Sequence, residues 1–533
     1  MRDRLLATIT LMALFPAVAL GHGEHAAHEA GGGTGAGIGP WAWILLAGLG
    51  GLAGLAVYRA RLRATSRAAR HGEPLDLLSI PWLRALLTSR ALQPALQVPM
   101  LVLMAVVIIV GLGDVQDGGV NLATKLTWTI WWAGVIFTFA LLGRVWCLAC
   151  PFGALNEWTS RLAAPLRRLP RGFRNIWWAT GMFVVLTWAD EQLGVVRSPR
   201  VTAWIVIGVA AMAVGVGLFY ERRSFCRHLC PIGGLIGIYS MVAPLELRAR
   251  HAAVCRADRD QACYRGGEGS GGCPMFEFPQ TMDRNNYCTL CAECVKGCGQ
   301  RNLILRVRTF GQDLWASRRH LLDESYLAIV LVGLTSLVTA QMLAAWPDWI
   351  TAASRWAPPA HETRRLVESI AFLGGTLAGG PLLLLAASSL SHRLAGSASI
   401  GVRRTFVTFG YMFVPVGLAL HLAHNLGHLL VEGGGIVPVV QRALFVYTPL
   451  SLGEPDWQVH ALAPPTAVGL LQAAVLAGFF VLSLVTGHRL AGRAYGDGRV
   501  AARAMVPMVA LAFAFTALGI VLLSLPMGLR HAT

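Results

Sequence analysis

Eleven cysteines carry the strongest chemical signal in this 533-residue chain, and four of them stand close together. Cys288, Cys291, Cys294 and Cys298 follow the spacing C-x2-C-x2-C-x3-C. In iron–sulfur proteins with this spacing, three thiolates bind one [4Fe–4S] cluster and the fourth binds a neighbouring cluster. The stretch therefore predicts iron–sulfur chemistry, in which single electrons are carried.

Zinc and disulfides are the alternative explanations for these cysteines. Zinc sites normally use two separated cysteine pairs rather than four cysteines in one short run. Disulfides require an oxidising compartment and do not require this spacing. The spacing therefore favours iron–sulfur clusters over both.

Two more cysteine pairs, Cys147–Cys150 and Cys226–Cys230, form an approximate internal repeat. Each pair is followed directly by proline and, two residues later, by glycine. Proline cannot continue the helical hydrogen-bond pattern, so each pair is expected at a turn of the chain. Two such turns could bring four thiolates together in a shared metal or cluster site. The alternative is that these are small buried cysteines at helix ends.

The remaining cysteines allow the ligands of the clusters to be counted. Cys273, followed by proline, can complete a first cluster with Cys288, Cys291 and Cys294. A second cluster would then use Cys298, Cys255 and Cys263 and would lack one thiolate. Either a cysteine of the Cys226–Cys230 turn or a non-cysteine ligand would complete it. The sequence therefore predicts two [4Fe–4S] clusters.

The composition indicates an integral membrane protein. Hydrophobic residues make up 55% of the chain and charged residues 14%, with a mean hydropathy of +0.55. The formal net charge is +17. In so apolar a chain, this excess is typical of cytoplasmic loops and of segments that meet anionic lipid. We expect membrane lipid as a partner and no nucleic acid.

The N-terminal region resembles an export signal. Residues 1–21 combine early arginines with an apolar run, which predicts a signal peptide, or alternatively an uncleaved anchor. Residues 22–39 form a His- and Gly-rich tail expected in the periplasm, where it either binds copper or zinc weakly or is simply flexible. We expect a multi-pass protein of a bacterial inner membrane with a periplasmic mature N-terminus.

Ten apolar stretches are long enough to span a bilayer. They lie near 40–58, 93–113, 124–143, 175–193, 200–220, 325–346, 366–388, 405–431, 465–487 and 505–527. The fold class is therefore an all-α polytopic membrane protein with a small cytoplasmic α+β ferredoxin-like insert. Arginine-rich loops orient it and place every cysteine on the reducing side. The predicted domains are 40–220 (N-terminal transmembrane domain), 221–324 (cytoplasmic iron–sulfur domain), 325–365 (sixth span and outer loop) and 366–533 (C-terminal transmembrane domain with a His-rich helix).

Three histidines lie in the eighth predicted span. His421, His424 and His428 are spaced i, i+3 and i+7 and share one face of a helix. Polar side chains inside a membrane are costly unless they have partners, so they mark candidate functional sites. They could bind copper, ligate haem, or line a quinone or proton site. Hydrogen bonding between helices is the alternative.

The paired Cys-Pro motifs and the ferredoxin-type run together resemble the membrane-bound polyferredoxins of the NosR and NapH type. The resemblance covers roughly residues 93–350. It implies electron transfer through cytoplasmic [4Fe–4S] clusters, with links to the quinone pool and to periplasmic reductases. The cysteines depart from the family pattern in three ways. Cys147–Cys150 is one residue shorter than usual, and Gly299 replaces the proline usual after the fourth cysteine. Only one regular ferredoxin run is present where the family has two, and the widely spaced Cys255, Cys263 and Cys273 stand in place of the other.

Two functions follow from these features. The first is electron transfer between a quinol or cytoplasmic donor and a periplasmic redox protein or metalloenzyme. The second is a maturation role, in which the protein handles a metal such as copper for such an enzyme. A transporter with a structural cluster fits less well, because we find no paired broken helices or inverted repeat in the sequence.

Overall fold

The computed structural model describes residues 75–163, 167–355, 361–449, 453–458, 461–496 and 498–527. This part of the chain is mainly helical, with one small sheet. In chain order the elements are α1 (Pro81–Thr88), α2 (Leu92–Gly113), α3 (Leu122–Ala149), α4 (Pro151–Leu162), α5 (Trp177–Leu193), α6 (Pro199–Phe219), α7 (Pro231–Ser240), β1 (Leu245–Ala249), α8 (Ala252–Ala257), α9 (Ala262–Arg265), α10 (Glu293–Lys296), β2 (Leu303–Val307), α11 (Gln312–Ala316), α12 (Leu322–Gln341), α13 (Trp346–Ala353), α14 (Glu362–Ala398), α15 (Val402–Gly410), α16 (Phe413–Tyr447), α17 (Pro465–Tyr495) and α18 (Gly498–Ser524).

Eight helices in the described ranges are long and apolar enough to cross a membrane. They are α2, α3, α6, α12, α14, α16, α17 and α18, and each matches a predicted span. A ninth predicted span corresponds to α5, which has 17 residues. The tenth, near 40–58, lies outside the described residues, as do the predicted signal peptide and the His-rich tail. The mainly helical membrane architecture is therefore confirmed, whereas the total of ten spans stays a prediction.

The long helices pack around two apolar cores. One core joins α3, α5, α7, α12 and α16 through side chains such as Phe139, Phe183 and Leu331. The other joins α16, α17 and α18 with α14, and contains Phe413, Phe480 and Phe515. Helix α16 contributes to both cores and therefore connects the two halves of the bundle.

Helix α7 is short, apolar and packed inside the bundle. Nine of its ten residues are buried, and Tyr239 reaches His421 in α16. The chain therefore leaves α6 at Phe219, passes through a π-helical turn at Phe225–Leu229, and returns into the helical core through α7. Hydropathy alone placed these residues in the cytoplasmic iron–sulfur domain, because a ten-residue helix is too short to be recognised as a span.

Helix α4 follows α3 in a similar way. The regular helical part of α3 ends at Leu142. The next residue, Gly143, has a φ of +65°, which suits glycine and few other residues. A short turn leads from there to Cys150, and Pro151 starts α4. Asn156 in α4 donates to the carbonyl of Ala213 in α6, which fixes the two helices side by side. Each Cys-Pro motif therefore ends one segment and begins a helix packed against the bundle.

The insert after α7 contains the described sheet. Strands β1 and β2 pair antiparallel, with Leu245 opposite Val307. A buried cluster of charges supports the sheet: Arg306 donates to Glu246 at 2.6 Å, and Arg308 pairs with both Glu246 and Asp313. Short helices and irregular segments carry the cysteines between the strands. The sheet and short helices agree with the α+β prediction, and the ferredoxin-like topology stays a prediction.

The insert is attached firmly to the bundle. Asn286 donates to Glu324 at the start of α12 at 2.9 Å, and Arg284 pairs with the same carboxylate at 2.7 Å. Asp313 accepts from the backbone N–H of Asn285 at 2.7 Å. These contacts hold the segment just before Cys288 against the helices, so the first cysteine of the run has a fixed position relative to the membrane part.

Candidate iron–sulfur centres

All eleven cysteines are described, and all are free thiols rather than disulfides. Their surroundings divide them into three groups. We call Cys273, Cys288, Cys291 and Cys294 the insert quartet, Cys255, Cys263 and Cys298 the insert trio, and Cys147, Cys150, Cys226 and Cys230 the bundle quartet. Within each group the thiols are close enough to interact electrostatically.

The insert quartet is assembled by an irregular loop and by α10. Leu290 and Ala292 between the cysteines have left-handed backbone conformations, with φ of +55° and +57°. These turns let the run curve back on itself, so that nearby thiols face the same space. The backbone N–H of Glu277 donates to the sulfur of Cys273 at 3.3 Å. A hydrogen bond of this kind stabilises a thiolate more than a neutral thiol.

Burial controls the protonation of the insert quartet. It raises the pKa of Cys273 to about 12 and that of Cys288 to about 11, with neighbouring thiols adding to the shift of each. Bare thiols with these pKa values stay protonated at neutral pH. A metal group must therefore displace their protons and supply the compensating positive charge.

Asn302, which no sequence motif indicated, contacts two members of the insert trio. The Asn302 side chain donates to the sulfur of Cys255 at 3.1 Å, and its backbone N–H donates to that of Cys298 at 3.3 Å. Burial, followed by the charges of Cys298 and Cys255, raises the pKa of Cys263 to about 11. Asp258 also acts electrostatically on Cys263 and so lies near this group.

The bundle quartet joins the two Cys-Pro motifs. All four cysteines line one pocket of about 140 Å³. Cys226 packs against Met212 and Val216 in the last turns of α6, and Gln97, near the start of α2, donates to the carbonyl of Leu148 at 3.2 Å. The quartet thus lies among the helices, close to the span ends at which the sequence placed it. The pocket is several times the ~30 Å³ share of one water molecule, enough for a group of several atoms.

Two buried arginines connect the motifs reciprocally. Arg144 precedes Cys147 by three residues and donates to the carbonyl of Cys226 at 2.8 Å. Arg223 precedes Cys226 by three residues and donates to the carbonyl of Cys147 at 2.7 Å. The repeat is therefore R-x-x-C followed by C-P-x-G. The arginines could have been found in the sequence by aligning the two motifs at their first cysteines.

The glycines of the two motifs provide room for these arginines. A Cβ on Gly153 would lie 2.6 Å from the Arg223 guanidinium. A Cβ on Gly233 would lie 2.8 Å from the Cys226 carbonyl oxygen and 3.4 Å from Arg144. The spacing C-P-x-G is thus explained by the close approach of the other motif.

We predict that Gly153→Ala and Gly233→Ala each destabilise the protein by about 1–3 kcal/mol, the usual cost of overpacking, and reduce the bound iron. Denaturation in detergent and iron analysis measure both effects. Gly181→Ala in α5 is the matched control, because nothing lies within 4 Å of its added methyl. That control should keep its iron, and equal iron in all three variants would contradict the proposed packing.

The residues present fit iron–sulfur clusters better than a single metal ion. Across the described residues, no three His, Cys, Asp or Glu side chains converge on one ion position. A cubane cluster holds its thiolates further apart than a single ion does, because each thiolate binds a different iron. Such a cluster requires buried thiols, N–H groups that donate to sulfur, and a pocket between its four cysteines.

In space, the insert trio adjoins the insert quartet, and the insert quartet adjoins the bundle quartet. Gly297, in the run between Cys294 and Cys298, packs against the backbone of Cys263 in the trio: a Cβ on Gly297 would lie 3.1 Å from the Cys263 nitrogen. The insert quartet meets the bundle quartet through Arg144, which donates to the carbonyl of Asn286 and lies 5.6 Å from the ring of Tyr287. Tyr287 directly precedes Cys288. The cysteines of the second motif therefore lie with those of the first and not with the trio.

The histidines of α16 each have a polar neighbour. His421 Nδ1 lies 2.7 Å from the hydroxyl of Tyr239 and 2.8 Å from that of Thr335. His424 Nδ1 lies 3.0 Å from the hydroxyl of Thr339, and His428 Nδ1 lies 3.1 Å from Glu432. These contacts are the interhelical and local hydrogen bonds that the alternative explanation expects. Copper, haem and quinone at this face stay predictions.

His421 and His424 also line a second cavity of about 100 Å³. Its walls include Trp128, Trp131 and Trp132. Trp131 and Ile232 belong to the linings of both this cavity and the pocket of the bundle quartet. The histidine cavity is therefore separated from the thiols by little more than these shared side chains.

Comparison with known proteins supports the cluster assignment. Residues 124–170 and 202–246 match the family described as a 4Fe-4S binding domain, and these two segments contain the bundle quartet. No solved structure matches the chain significantly.

Three curated proteins align with about a third of the chain. YccM of Escherichia coli, whose name describes an electron transport protein, is 26% identical over 164 residues, which are 30% of this chain and 40% of YccM. The regulatory protein NosR of Pseudomonas aeruginosa is 28% identical over 188 residues, 31% of this chain and 25% of NosR. The uncharacterised protein MJ0749 of Methanocaldococcus jannaschii is 28% identical over 191 residues, 33% of this chain and 68% of that protein.

The matches to YccM and NosR thus span less than half of either relative. Within that part, the resemblance inferred from the cysteine motifs is confirmed, and an electron-transport role for this membrane protein is supported. Two segments of the chain thus match a 4Fe-4S binding domain, and about a third of the chain is similar to the electron transport protein YccM and to the regulatory protein NosR.

Proposed function

We propose that the protein carries single electrons through three cysteine-bound centres, between a quinol or cytoplasmic donor and a periplasmic redox protein or metalloenzyme. The observation that carries this proposal is the unbroken order of the insert trio, the insert quartet and the bundle quartet. Each group adjoins the next through named contacts, as an electron path requires.

The proposed ligands are the members of the three groups. The two quartets each supply four thiolates for a [4Fe–4S] cluster, and the trio supplies three for a further centre with a non-cysteine ligand. The proposal therefore has three cluster sites, one more than the sequence predicted. It also removes the Cys226–Cys230 turn from the list of candidates for the missing ligand of the trio.

Clusters bound at these groups would supply one-electron redox chemistry. The chain holds the thiols in place, keeps water away from them and balances their charge. Cys226 and Cys147 are both 7% exposed, and Cys263 is 6% exposed. Low exposure protects such a centre from solvent and fixes its surroundings, which together tune its reduction potential.

The aromatic cavity beside the bundle quartet supports a quinol as one donor. Three tryptophans provide flat apolar walls, and His421 and His424 provide polar groups. Ligand sites of this kind combine apolar walls with a few convergent polar side chains. The insert, at the other end of the path, is where we place a cytoplasmic donor. We assign the protein to a bacterial inner membrane, with the insert in the cytoplasm, from the charge bias of its loops.

The copper-maturation alternative depends on His421, His424 and His428. Their hydrogen bonds to Tyr239, Thr335, Thr339 and Glu432 give them structural roles that need no metal. No contact in the described residues favours copper over these roles, so electron transfer is the better supported function.

Proteoliposomes containing the full chain test the proposal. Dithionite is added outside, and cytochrome c trapped inside reports electrons that cross the membrane. Decylubiquinol replaces dithionite in a second arm that tests the quinol donor. We expect cytochrome reduction in the wild type in both arms. Cys288→Ala should lose it in the dithionite arm and keep it in the quinol arm, because the proposed quinol cavity adjoins the bundle quartet and not the insert. No electron transfer in either arm with fully loaded wild-type protein would reject the proposal.

A further inference from the structure

Arg144 and Arg223 hold equivalent positions in the two Cys-Pro motifs, but only Arg223 is paired with a carboxylate. Arg223 lies 2.8 Å from the carboxylate of Glu157, and both side chains are almost fully buried. Arg161 pairs with the same carboxylate at 2.7 Å but is 57% exposed, so solvent screens its charge. Inside the site, the charges of Arg223 and Glu157 therefore nearly cancel. Arg144 is equally buried, at 2% exposed, but its hydrogen bonds go to the carbonyl oxygens of Asn286 and Cys226.

Among the residues that the structure describes, no carboxylate forms an ion pair with Arg144. Burying an unbalanced charge costs several kcal/mol, so such a charge is normally matched by an anion nearby. Arg144 lines the same pocket as the four cysteines of the bundle quartet and lies 5.6 Å from the ring of Tyr287. The balancing negative charge must therefore come from the thiolates of the bundle quartet.

We propose that Arg144 and Glu157 are opposing positioning residues that set the reduction potential of the centre held by the bundle quartet. Arg144 supplies an uncompensated positive charge that raises this potential. Glu157 cancels the charge of Arg223 and thereby lowers it. The inference rests on the proposed function, because it requires that the four thiolates hold a redox centre.

The physical reason is the sign of the charge added on reduction. One electron enters the centre with no bond formed or broken, so the reduced state carries one more negative charge. A nearby positive charge stabilises that state, and a nearby negative charge destabilises it. Both effects are strong here because few solvent molecules screen charges in a buried site. Net charge and hydrogen bonding are known to shift iron–sulfur potentials widely.

Potentials measured by EPR-monitored redox titration of the full-length protein test the inference. Arg144→Gln should move the bundle centre to a lower potential, and Arg144→Lys should return it toward the wild-type value. Glu157→Gln should move it in the opposite direction, to a higher potential. The centres of the insert trio and insert quartet serve as internal references and should move much less.

The outcomes separate this inference from the proposed function. If no signal depends on Cys226, the bundle quartet holds no redox centre and the proposed function loses its membrane step. If the signal is present but Arg144→Gln leaves its potential unchanged, or Lys fails to restore it, the inference alone is rejected. Should Glu157→Gln not fold, the two Arg144 variants still decide the result. Shifts of the same sign for Arg144→Gln and Glu157→Gln would also reject it.

Discussion

Replacing Cys226 with alanine is expected to remove about four iron atoms per chain, the content of one [4Fe–4S] centre, and to stop electron transfer across the membrane. Cys226 belongs to the second motif and contacts the first: its carbonyl accepts a hydrogen bond from Arg144, and its thiol lines the pocket shared by the bundle quartet. The centres of the insert should remain, because their ligands lie outside this pocket. Iron and sulfide analysis together with EPR spectra measure the loss.

Ser224→Ala provides the control for this experiment. Ser224 is fully buried two residues away, and it is not among the residues lining the pocket of the bundle quartet. It should retain both the iron content and the electron transfer of the wild type. A Cys226→Ala protein with unchanged iron and unchanged EPR spectra would show that the bundle quartet is not a cluster site.

Arg223→Met is expected to destabilise the protein by about 3–5 kcal/mol, because it leaves Glu157 buried without its main partner. The two side chains are 2% and 3% exposed and lie 2.8 Å apart. The variant also loses the hydrogen bond to the Cys147 carbonyl, so the two motifs should separate more easily. Denaturant titration in detergent, followed by helical circular dichroism, measures the change.

Arg161→Met is the matched control, because Arg161 pairs with the same carboxylate at 2.7 Å but is 57% exposed. An exposed ion pair of this type contributes only about 0.3–0.5 kcal/mol. Equal effects of the two substitutions would mean that burial of the Arg223–Glu157 pair does not matter. A large loss in Arg223→Met alone supports the reciprocal connection of the motifs.

The cysteine chemistry was well predictable from sequence because ligand spacing is local. The run at 288–298 and the paired Cys-Pro motifs needed no knowledge of distant contacts. The grouping of Cys273 with Cys288, Cys291 and Cys294 also followed from counting ligands, and the structure places these four together.

The two helices that follow the Cys-Pro motifs, α4 and α7, could not be predicted from hydropathy. Helix α7 has ten residues, which is too short to be recognised as a membrane segment, and α4 carries polar residues such as Asn156 and Glu157. Both helices are stabilised by packing against the rest of the bundle rather than by their own apolar length. Only tertiary contacts, such as the bonds of Arg144 and Arg223 to opposite motifs, show that the two motifs share one buried pocket.

Asn302 and Glu157 were also beyond sequence reasoning, for a similar reason. Asn302 lies four residues after Cys298 but donates to Cys255, 47 positions away. Glu157 becomes important only because Arg223 from another segment is buried beside it. A polar residue that acts through a distant partner leaves no periodic or spacing signal in a single sequence.

Anaerobic purification followed by iron and sulfide analysis with EPR tests the central claim most directly. We predict a brown protein with iron and sulfide in excess of one cluster per chain, and with reducible signals lost separately in Cys226→Ala and Cys288→Ala. A colourless protein that contains zinc or no metal would contradict the claim that these cysteines hold iron–sulfur centres.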